Sequence, residues 1–168
     1  MEGRGPQGVL ITGVFGSGKS SLAAEIGYLL EQRGRLYALL DLDYLGWVGD
    51  HDTGRAMMLR NLAAVAPNYR EIGVGTFVVA YFVRDLGTLR AIRDALGVPL
   101  RVVGLSVPIA EIERRLASDV TSGRSDDLRD AAESISASEG AGVEELLVEN
   151  DEPIQVIALE VMTWLGWL

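Results

Sequence analysis

The residues with the clearest chemical meaning lie at positions 13 to 20, where glycines precede a lysine and a serine. The stretch Gly13-Val14-Phe15-Gly16-Ser17-Gly18-Lys19-Ser20 matches the pattern G-x-x-x-x-G-K-[ST]. It follows a predicted strand at 9–12 and opens a predicted helix at 19–33. Because glycine has no side chain, successive backbone N–H groups can curve around phosphate oxygens, and the helix start attracts the same anion. The pattern therefore predicts a nucleotide site that includes the adjoining Ser21.

Two side chains of this loop could act on the bound phosphates. Lys19 is placed to reach the β- and γ-phosphates, and the Ser20 hydroxyl is placed to ligate Mg²⁺. The alternative is a glycine-rich turn that carries a lysine by chance. The complete match and its strand–loop–helix context favour the phosphate site.

A pair of carboxylates ends the second predicted strand, LYALLDLD at 36–43. Asp41 and Asp43 are two residues apart, so on a strand both would point to one face. In parallel sheets ligands bind at the carboxyl ends of the strands, where the glycine-rich loop also lies. One carboxylate could hold Mg²⁺ through water while the other accepts a proton from an attacking hydroxyl. Alternatively, Asp43 only caps the following turn.

Several arginines could neutralise the charge of a migrating phosphoryl group. Four of them flank the polar segment 119–142: Arg114, Arg115, Arg124 and Arg129. With Glu111 and Glu113 nearby, the first two could equally form a solvated, salt-bridged helix face. Arg60 on the second helix and Arg84 beyond the third strand are candidates for holding an anionic substrate.

Apolar runs alternate with helical patterns along the whole chain, which predicts right-handed βαβ units and a parallel sheet. The predicted strands occupy 9–12, 36–43, 76–83, 100–107 and 144–150. The predicted helices occupy 19–33, about 54–67 with a cap at Asp52 or Thr53, 86–96, 109–120 and 153–168. We therefore expect one α/β domain over 1–168, with a disordered tail at 1–7 and a mobile insertion at 119–142.

Composition limits the classes of partner. The 168 residues carry a net charge of −9, which repels nucleic acids and anionic membranes, so neither is an expected partner. There is no cysteine for a disulfide, a thiolate zinc site or a thiol nucleophile. The amino terminus has no signal-like apolar segment, and no apolar run approaches the roughly 20 residues of a membrane span. These features predict a cytoplasmic protein.

The chain resembles the P-loop small-molecule kinases, the superfamily of the nucleoside monophosphate, shikimate, gluconate, adenylylsulfate and chloramphenicol kinases. The resemblance is carried by the glycine-rich loop, the D-x-D at the second strand, the arginine-bearing cover and the ending LLVENDEPIQVIALEVMTWLGW. It implies a three-layer α/β fold, the P-loop NTPase fold, with a five-stranded parallel sheet in the order 2-3-1-4-5 and a closing LID at 119–142. It also implies ATP and Mg²⁺ as cofactors and a small-molecule acceptor as substrate.

The resemblance assigns roles to individual residues. Asp43 matches the family's substrate-side carboxylate, the candidate general base, and Asp41 matches its Mg²⁺-side partner. The segment 150–153, which includes Asn150 and Pro153, matches the loop that lines the adenine. Since LID arginines close over ATP in this family, the resemblance favours Arg115 and Arg124. LLDLDYLGWV and AYFVRD are most similar to adenylylsulfate kinase, but the longer substrate-binding signatures of that enzyme are not recognisable here.

Two other functions remain open beside the kinase. A GTPase would use the D-x-x-G that begins at Asp43, but this lies on the second strand and no N-K-x-D follows. A regulatory ATPase that acts on a partner protein could use YALLD as its metal-binding strand. Of the aromatic residues, Trp47 could stack on a planar acceptor or pack a turn. Trp164 and Trp167 belong either to the core or to the face of a homodimer.

Overall fold

Five parallel strands form the centre of the molecule. The computed structural model describes residues 5–118, 133 and 142–168. The strands are β1 (Gln7–Thr12), β2 (Tyr37–Asp41), β3 (Thr76–Ala80), β4 (Leu100–Ser106) and β5 (Leu146–Glu149). They lie in the order β2-β3-β1-β4-β5, all neighbours are parallel, and this confirms the predicted topology. Arg124, Arg129 and nearly all of the predicted insertion at 119–142 lie outside the described residues.

At least one helix connects each strand to the next, as in crossovers between parallel strands. They are α1 (Lys19–Gln32), α2 (Leu42–Leu45), α3 (His51–Glu71), α4 (Leu86–Leu96), α5 (Ile109–Ala117) and α6 (Ile154–Leu165). None of the described helices is long and apolar enough to cross a membrane.

The sheet separates two apolar layers because alternate residues of each strand point to opposite faces. Val9 and Ile11 of β1 pack with α1 and α6, whereas Leu10 packs on the other face with α3 and α4. Trp167 is buried in the first layer, and the Arg101 guanidinium lies 3.4 Å from the centre of the Trp164 ring. Two covered faces explain why the central strands read as continuous apolar runs rather than as alternating ones.

The second strand is shorter than predicted, and this changes the setting of the aspartates. β2 ends at Asp41, and the chain turns at once into α2. The Asp41 side chain accepts a hydrogen bond from the Asp43 backbone N–H at 3.2 Å, which is the geometry of a helix cap. The prediction that both carboxylates project from one face of a strand is therefore wrong. Asp43 instead projects from the first turn of a helix.

Other element ends also differ from the predictions. α3 begins at His51, because Asp50 rather than Asp52 or Thr53 caps it by accepting a bond from the Thr53 N–H. It continues through Pro67 to Glu71, since Tyr69 packs edge-on against Phe77 and Arg70 donates to the Leu96 carbonyl. β3 ends at Ala80, three residues before the predicted end. β1 begins at Gln7, inside the predicted tail, because Gln7 pairs with Thr76.

Gly46→Ala should destabilise the junction between α2 and α3. A Cβ at position 46 would lie 2.4 Å from the Gly54 carbonyl oxygen and 2.8 Å from the Met58 Cβ. The backbone of α3 would have to move, at a cost of about 1–3 kcal/mol in the free energy of unfolding, measured by urea denaturation. Gly49→Ala is the matched control, because nothing lies within 4 Å of its added Cβ. Equal unfolding midpoints for the two variants would contradict this packing.

Candidate active site

The loop between β1 and α1 presents its backbone to a cleft at the carboxyl end of the sheet. Gly16 and Gly18 have φ values of 78° and 99°, which other residues adopt only with strain. At Gly18 a side chain would also meet Asn150, since an added Cβ would lie 2.6 Å from Nδ2 of that residue. Both glycines are therefore required by the path of the loop, and the N–H groups at the start of α1 stay open to an anion.

Lys19 lies against this loop and is only 8% exposed. Its ammonium donates to the Val14 carbonyl at 3.0 Å, so its charge is held over the loop. Burial lowers the pKa of Lys19 below its usual 10.5, and the nearby charges of Asp43 and Asp41 oppose that decrease. A buried cation with two acidic neighbours is well placed to bind a bridging or terminal phosphate oxygen.

Ser20 and Asp41 form a pair of oxygen ligands beside the lysine. The Ser20 hydroxyl donates to Oδ2 of Asp41 at 2.7 Å, which joins the start of α1 to the end of β2. Among the described residues no group of three or more His, Cys, Asp or Glu side chains could hold a metal. Mg²⁺ needs few protein ligands, because it keeps several waters and takes phosphate oxygens. A hydroxyl and a carboxylate in contact fit that requirement.

Asp43 lines the same cleft as the loop. Burial raises the pKa of its carboxyl above the usual 3.8, the charge of Asp41 raises it further, and Lys19 lowers it. The side chain is still open to solvent at the mouth of the cleft, which limits the shift. A carboxylate with a raised pKa is a better proton acceptor than an ordinary surface aspartate.

Arg115 reaches the glycine-rich loop from α5. Its Nη1 donates to the Gly16 and Ser17 carbonyls at 3.4 Å, and its Nε donates to Glu111 at 2.8 Å. Arg114 bonds the same glutamate but is 72% exposed, compared with 30% for Arg115. Hydrogen bonds from the two arginines lower the pKa of Glu111 to about 2. Arg114 thus forms the solvated ion pair expected of a helix surface, whereas Arg115 points into the cleft.

An apolar contact fixes the approach of α5. Ile112 is fully buried, and with Val107 it packs against Val14 of the loop and the partly buried Phe82. Asn150, just after β5, adds a second brace by donating from Nδ2 to the Ser17 carbonyl at 2.8 Å. The glycine-rich loop is therefore held from two directions by elements far away in sequence.

The cleft has a volume of about 810 Å³ and collects most of the predicted site residues. Its lining consists of Phe15, Gly16, Gly18, Lys19, Ser20, Ser21, Asp43, Arg115, Asn150, Glu152 and Ile154. Gly13, Val14 and Ser17 belong to the loop but do not line the cleft: Val14 is core, and the Ser17 hydroxyl is buried without a hydrogen-bond partner among the described residues. Pro153 is the N-cap of α6, and its neighbours Glu152 and Ile154 line the cleft in its place.

The two arginines proposed for an anionic substrate have different positions. Arg84 lies near Tyr81, on which its charge acts, and its guanidinium is 5.2 Å from the centre of the Phe82 ring. Arg60 is exposed on α3, and no contact among the described residues joins it to Asp43. The sequence reading missed Arg55 and Tyr81, which lie in the same neighbourhood as Arg84 and Asp43. Tyr81 could have been identified as a site residue by its place just after β3, which pairs with β2 up to Asp41.

Comparison with known proteins identifies the fold. No protein-family model matches the chain, and no curated protein matches its sequence at a significant level. A sugar kinase from a Janibacter species superposes with a TM-score of 0.70 at 18% identity, covering 96% of this chain and 95% of that one. A gluconokinase from Sinorhizobium meliloti gives 0.65 at 22% identity, with 98% and 94% covered. The Mycobacterium tuberculosis APS kinase gives 0.57 at 23% identity, with 97% and 98% covered. The chain has the fold of the P-loop small-molecule kinases.

Proposed function

We propose that the protein is an ATP-dependent kinase that transfers the γ-phosphoryl group to a hydroxyl or phosphate of a small acceptor. The observation that carries the proposal is the convergence of Lys19, Ser20 and Asp43 on one cleft. Lys19 can hold the transferred group and Ser20 can hold its metal, while Asp43 is a carboxylate with a raised pKa whose charge acts on Lys19. A nucleotide-binding module without transfer chemistry would have no need for that third group.

For a hydroxyl acceptor, the acceptor oxygen forms a bond to the γ-phosphorus. The bond from this phosphorus to the β–γ bridging oxygen breaks, and ADP leaves with the electron pair. Asp43 accepts the hydroxyl proton, and Lys19 and Arg115 neutralise charge on the phosphoryl oxygens. Bound Mg²⁺, held by Ser20 and by Asp41 either directly or through water, would supply further positive charge to the phosphates.

Similar structures have been solved with bound small molecules. The M. tuberculosis APS kinase was solved in complex with AMPPNP and APS, and a shikimate kinase from Acinetobacter baumannii was solved with shikimate. In this chain the glycine-rich loop, Asn150 and Asp43 line one cleft. We assign the part of the cleft next to the loop and Asn150 to ATP and the part next to Asp43 to the acceptor.

The pH profile of acceptor phosphorylation should have an acid limb that reports the ionisation of Asp43. Only the ionised carboxylate accepts a proton, so kcat/KM should rise as pH rises through the pKa of Asp43. Burial and the Asp41 charge raise this pKa above 3.8, so the limb should lie at higher pH than for an ordinary aspartate. In Asp41→Asn the limb should move to lower pH. If the acid limb does not move in this variant, the limb reports the ionisation of another group.

An ATP-consumption screen over a library of metabolites and antibiotics tests the proposal directly. We expect Mg²⁺-dependent turnover that one class of small molecule stimulates and that Asp43→Asn loses. Asp94→Asn is the matched control, because Asp94 is an exposed carboxylate on α4 and does not line the cleft. ATP turnover that no small molecule stimulates, or that only a protein fraction stimulates, would overturn the kinase assignment.

A further inference from the structure

Two aromatic side chains next to Asp43 are stacked on each other and face solvent. Trp47 is 75% exposed and Tyr44 is 71% exposed. Their ring centres are 5.5 Å apart and their planes differ by 27°. Large aromatic surfaces that bury so little area contribute little to folding, and an exposed apolar patch of this kind typically marks a binding site.

The backbone that carries this aromatic pair is held by contacts with α3. The Leu45 carbonyl accepts a hydrogen bond from Nδ2 of Asn61 at 2.7 Å. Gly46 lies directly against Gly54 of α3, where an added Cβ on either glycine would come within 2.7 Å of the other residue's carbonyl oxygen. The Tyr44–Trp47 platform is therefore attached to a fixed backbone next to Asp43, which lines the cleft.

Two arginines share the neighbourhood of Asp43. Arg55 follows Gly54 in the first turn of α3, and Arg84 follows β3. Both charges act on Tyr81, as does the charge of Asp43, so the four groups share one neighbourhood. Burial raises the pKa of the Tyr81 phenol above its usual 10.0, which keeps it a hydrogen-bond donor.

Neither of these arginines forms an ion pair within the part of the chain that the structure describes. The ion pairs found within the described residues involve Arg93, Arg101, Arg114 and Arg115, and include neither Arg55 nor Arg84. Asp85, the nearby acid on which the Arg55 charge acts, is engaged as the N-cap of α4 and accepts from the Thr88 N–H at 2.7 Å. In a chain of net charge −9, two guanidinium groups that form no ion pair among the described residues and lie near a candidate general base favour an anionic ligand.

We propose that Tyr44, Trp47, Arg55, Tyr81 and Arg84 form an acceptor site for an anion that carries a flat ring. The ring stacks on the Tyr44–Trp47 platform, and the phosphate or carboxylate of the acceptor binds the two arginines and the Tyr81 hydroxyl. This inference rests on the proposed function, because it takes the Asp43 side of the cleft as the acceptor side. It narrows the acceptor to ring-bearing acids and disfavours neutral sugars.

Binding of four simple probes without ATP tests this site. Phenyl phosphate has both a flat ring and an anion, cyclohexyl phosphate has a ring that is not flat, and inorganic phosphate and phenol each have one feature. We expect phenyl phosphate to bind about 3- to 10-fold more tightly than cyclohexyl phosphate, as aromatic stacking would give. We expect phenyl phosphate to bind about 10- to 100-fold more tightly than phenol, as charge-assisted hydrogen bonds would give. Calorimetry and quenching of tryptophan fluorescence provide independent readouts.

Variants locate the binding. Trp47→Ala should remove the preference for the flat ring and most of the quenching, whereas Arg55→Gln and Arg84→Gln should weaken both phosphate esters equally. Arg90→Gln is the matched control, since Arg90 is exposed on α4 away from this cluster. Lys19→Ala tests the phosphate loop as the alternative site: loss of phenyl phosphate binding in this variant would place the probe in that loop and overturn the acceptor site.

The outcomes separate this inference from the proposed function. If phenyl phosphate does not bind at millimolar concentration, binds no better than inorganic phosphate, or binds normally to Trp47→Ala and Arg55→Gln, the acceptor site is overturned. The kinase assignment would survive that result if a neutral acceptor stimulates ATP turnover. Conversely, ring-dependent binding with no ATP turnover would support the anion site and contradict the kinase.

Discussion

Lys19→Ala should reduce phosphoryl transfer by about 10³-fold or more with every acceptor, as expected when a cation that stabilises the migrating group is lost. Lys19 is the only lysine in the sequence, and no other described cation lies inside the loop. Arg115 approaches from outside and is already bonded to Glu111. Steady-state kinetics with the best acceptor of the screen measure this loss. Transfer within tenfold of the parent would contradict the assignment of the phosphate loop.

Lys19 should lower the stability of the folded protein by a measurable amount. A buried ammonium with a lowered pKa is less well solvated than in the unfolded chain, so Lys19→Met should unfold at a higher temperature without nucleotide. A gain of about 1 kcal/mol corresponds to roughly 2–4 °C in a domain of this size. Because the chain has one lysine, NMR of the ¹³C-methylated protein gives its titration directly, and the midpoint should fall below 10.5.

Asp43→Asn should reduce transfer to a hydroxyl acceptor by about 10²–10⁴-fold, which is the usual contribution of a general base. Asparagine keeps the size of the side chain but cannot accept the proton. ATP binding should be retained or become tighter, because the variant removes a negative charge that faces the phosphates. Calorimetry with Mg-ATP and single-turnover kinetics separate these two effects.

Two matched variants make this prediction specific. Asp94→Asn makes the same chemical change at an exposed site and should leave transfer unchanged. Asp43→Glu restores a carboxylate and should recover part of the rate together with an acid limb in the pH profile, whereas Asp43→Asn should lose that limb. Unchanged transfer in Asp43→Asn would remove this residue from the chemistry and leave Lys19 and Arg115 as the catalytic groups.

The sequence by itself determined the features that depend on residues close together in the chain. The spacing of the glycines, Lys19 and Ser20 specified the phosphate loop, because its conformation is set by local backbone freedom and by the helix that follows. The continuous apolar runs specified buried parallel strands, and the alternation with helices specified the crossovers. The apolar run placed Asp41 and Asp43 at the correct end of the sheet, although the predicted second strand extends two residues beyond the end of β2.

Only the tertiary structure decided how distant residues meet at the site. The resemblance named Asn150 and Arg115, but the hydrogen bonds by which they hold the carbonyl groups of the loop appear only in the folded chain. The proximity of Arg55 and Tyr81 to Asp43 was not predicted from the sequence. The tertiary structure also separated Arg84 from Arg60, two arginines that look alike in the sequence. These contacts depend on strand order and on the face that each helix buries, which no short stretch of residues encodes. A local motif fixes its own backbone, but the partners of a side chain follow from the packing of the whole sheet.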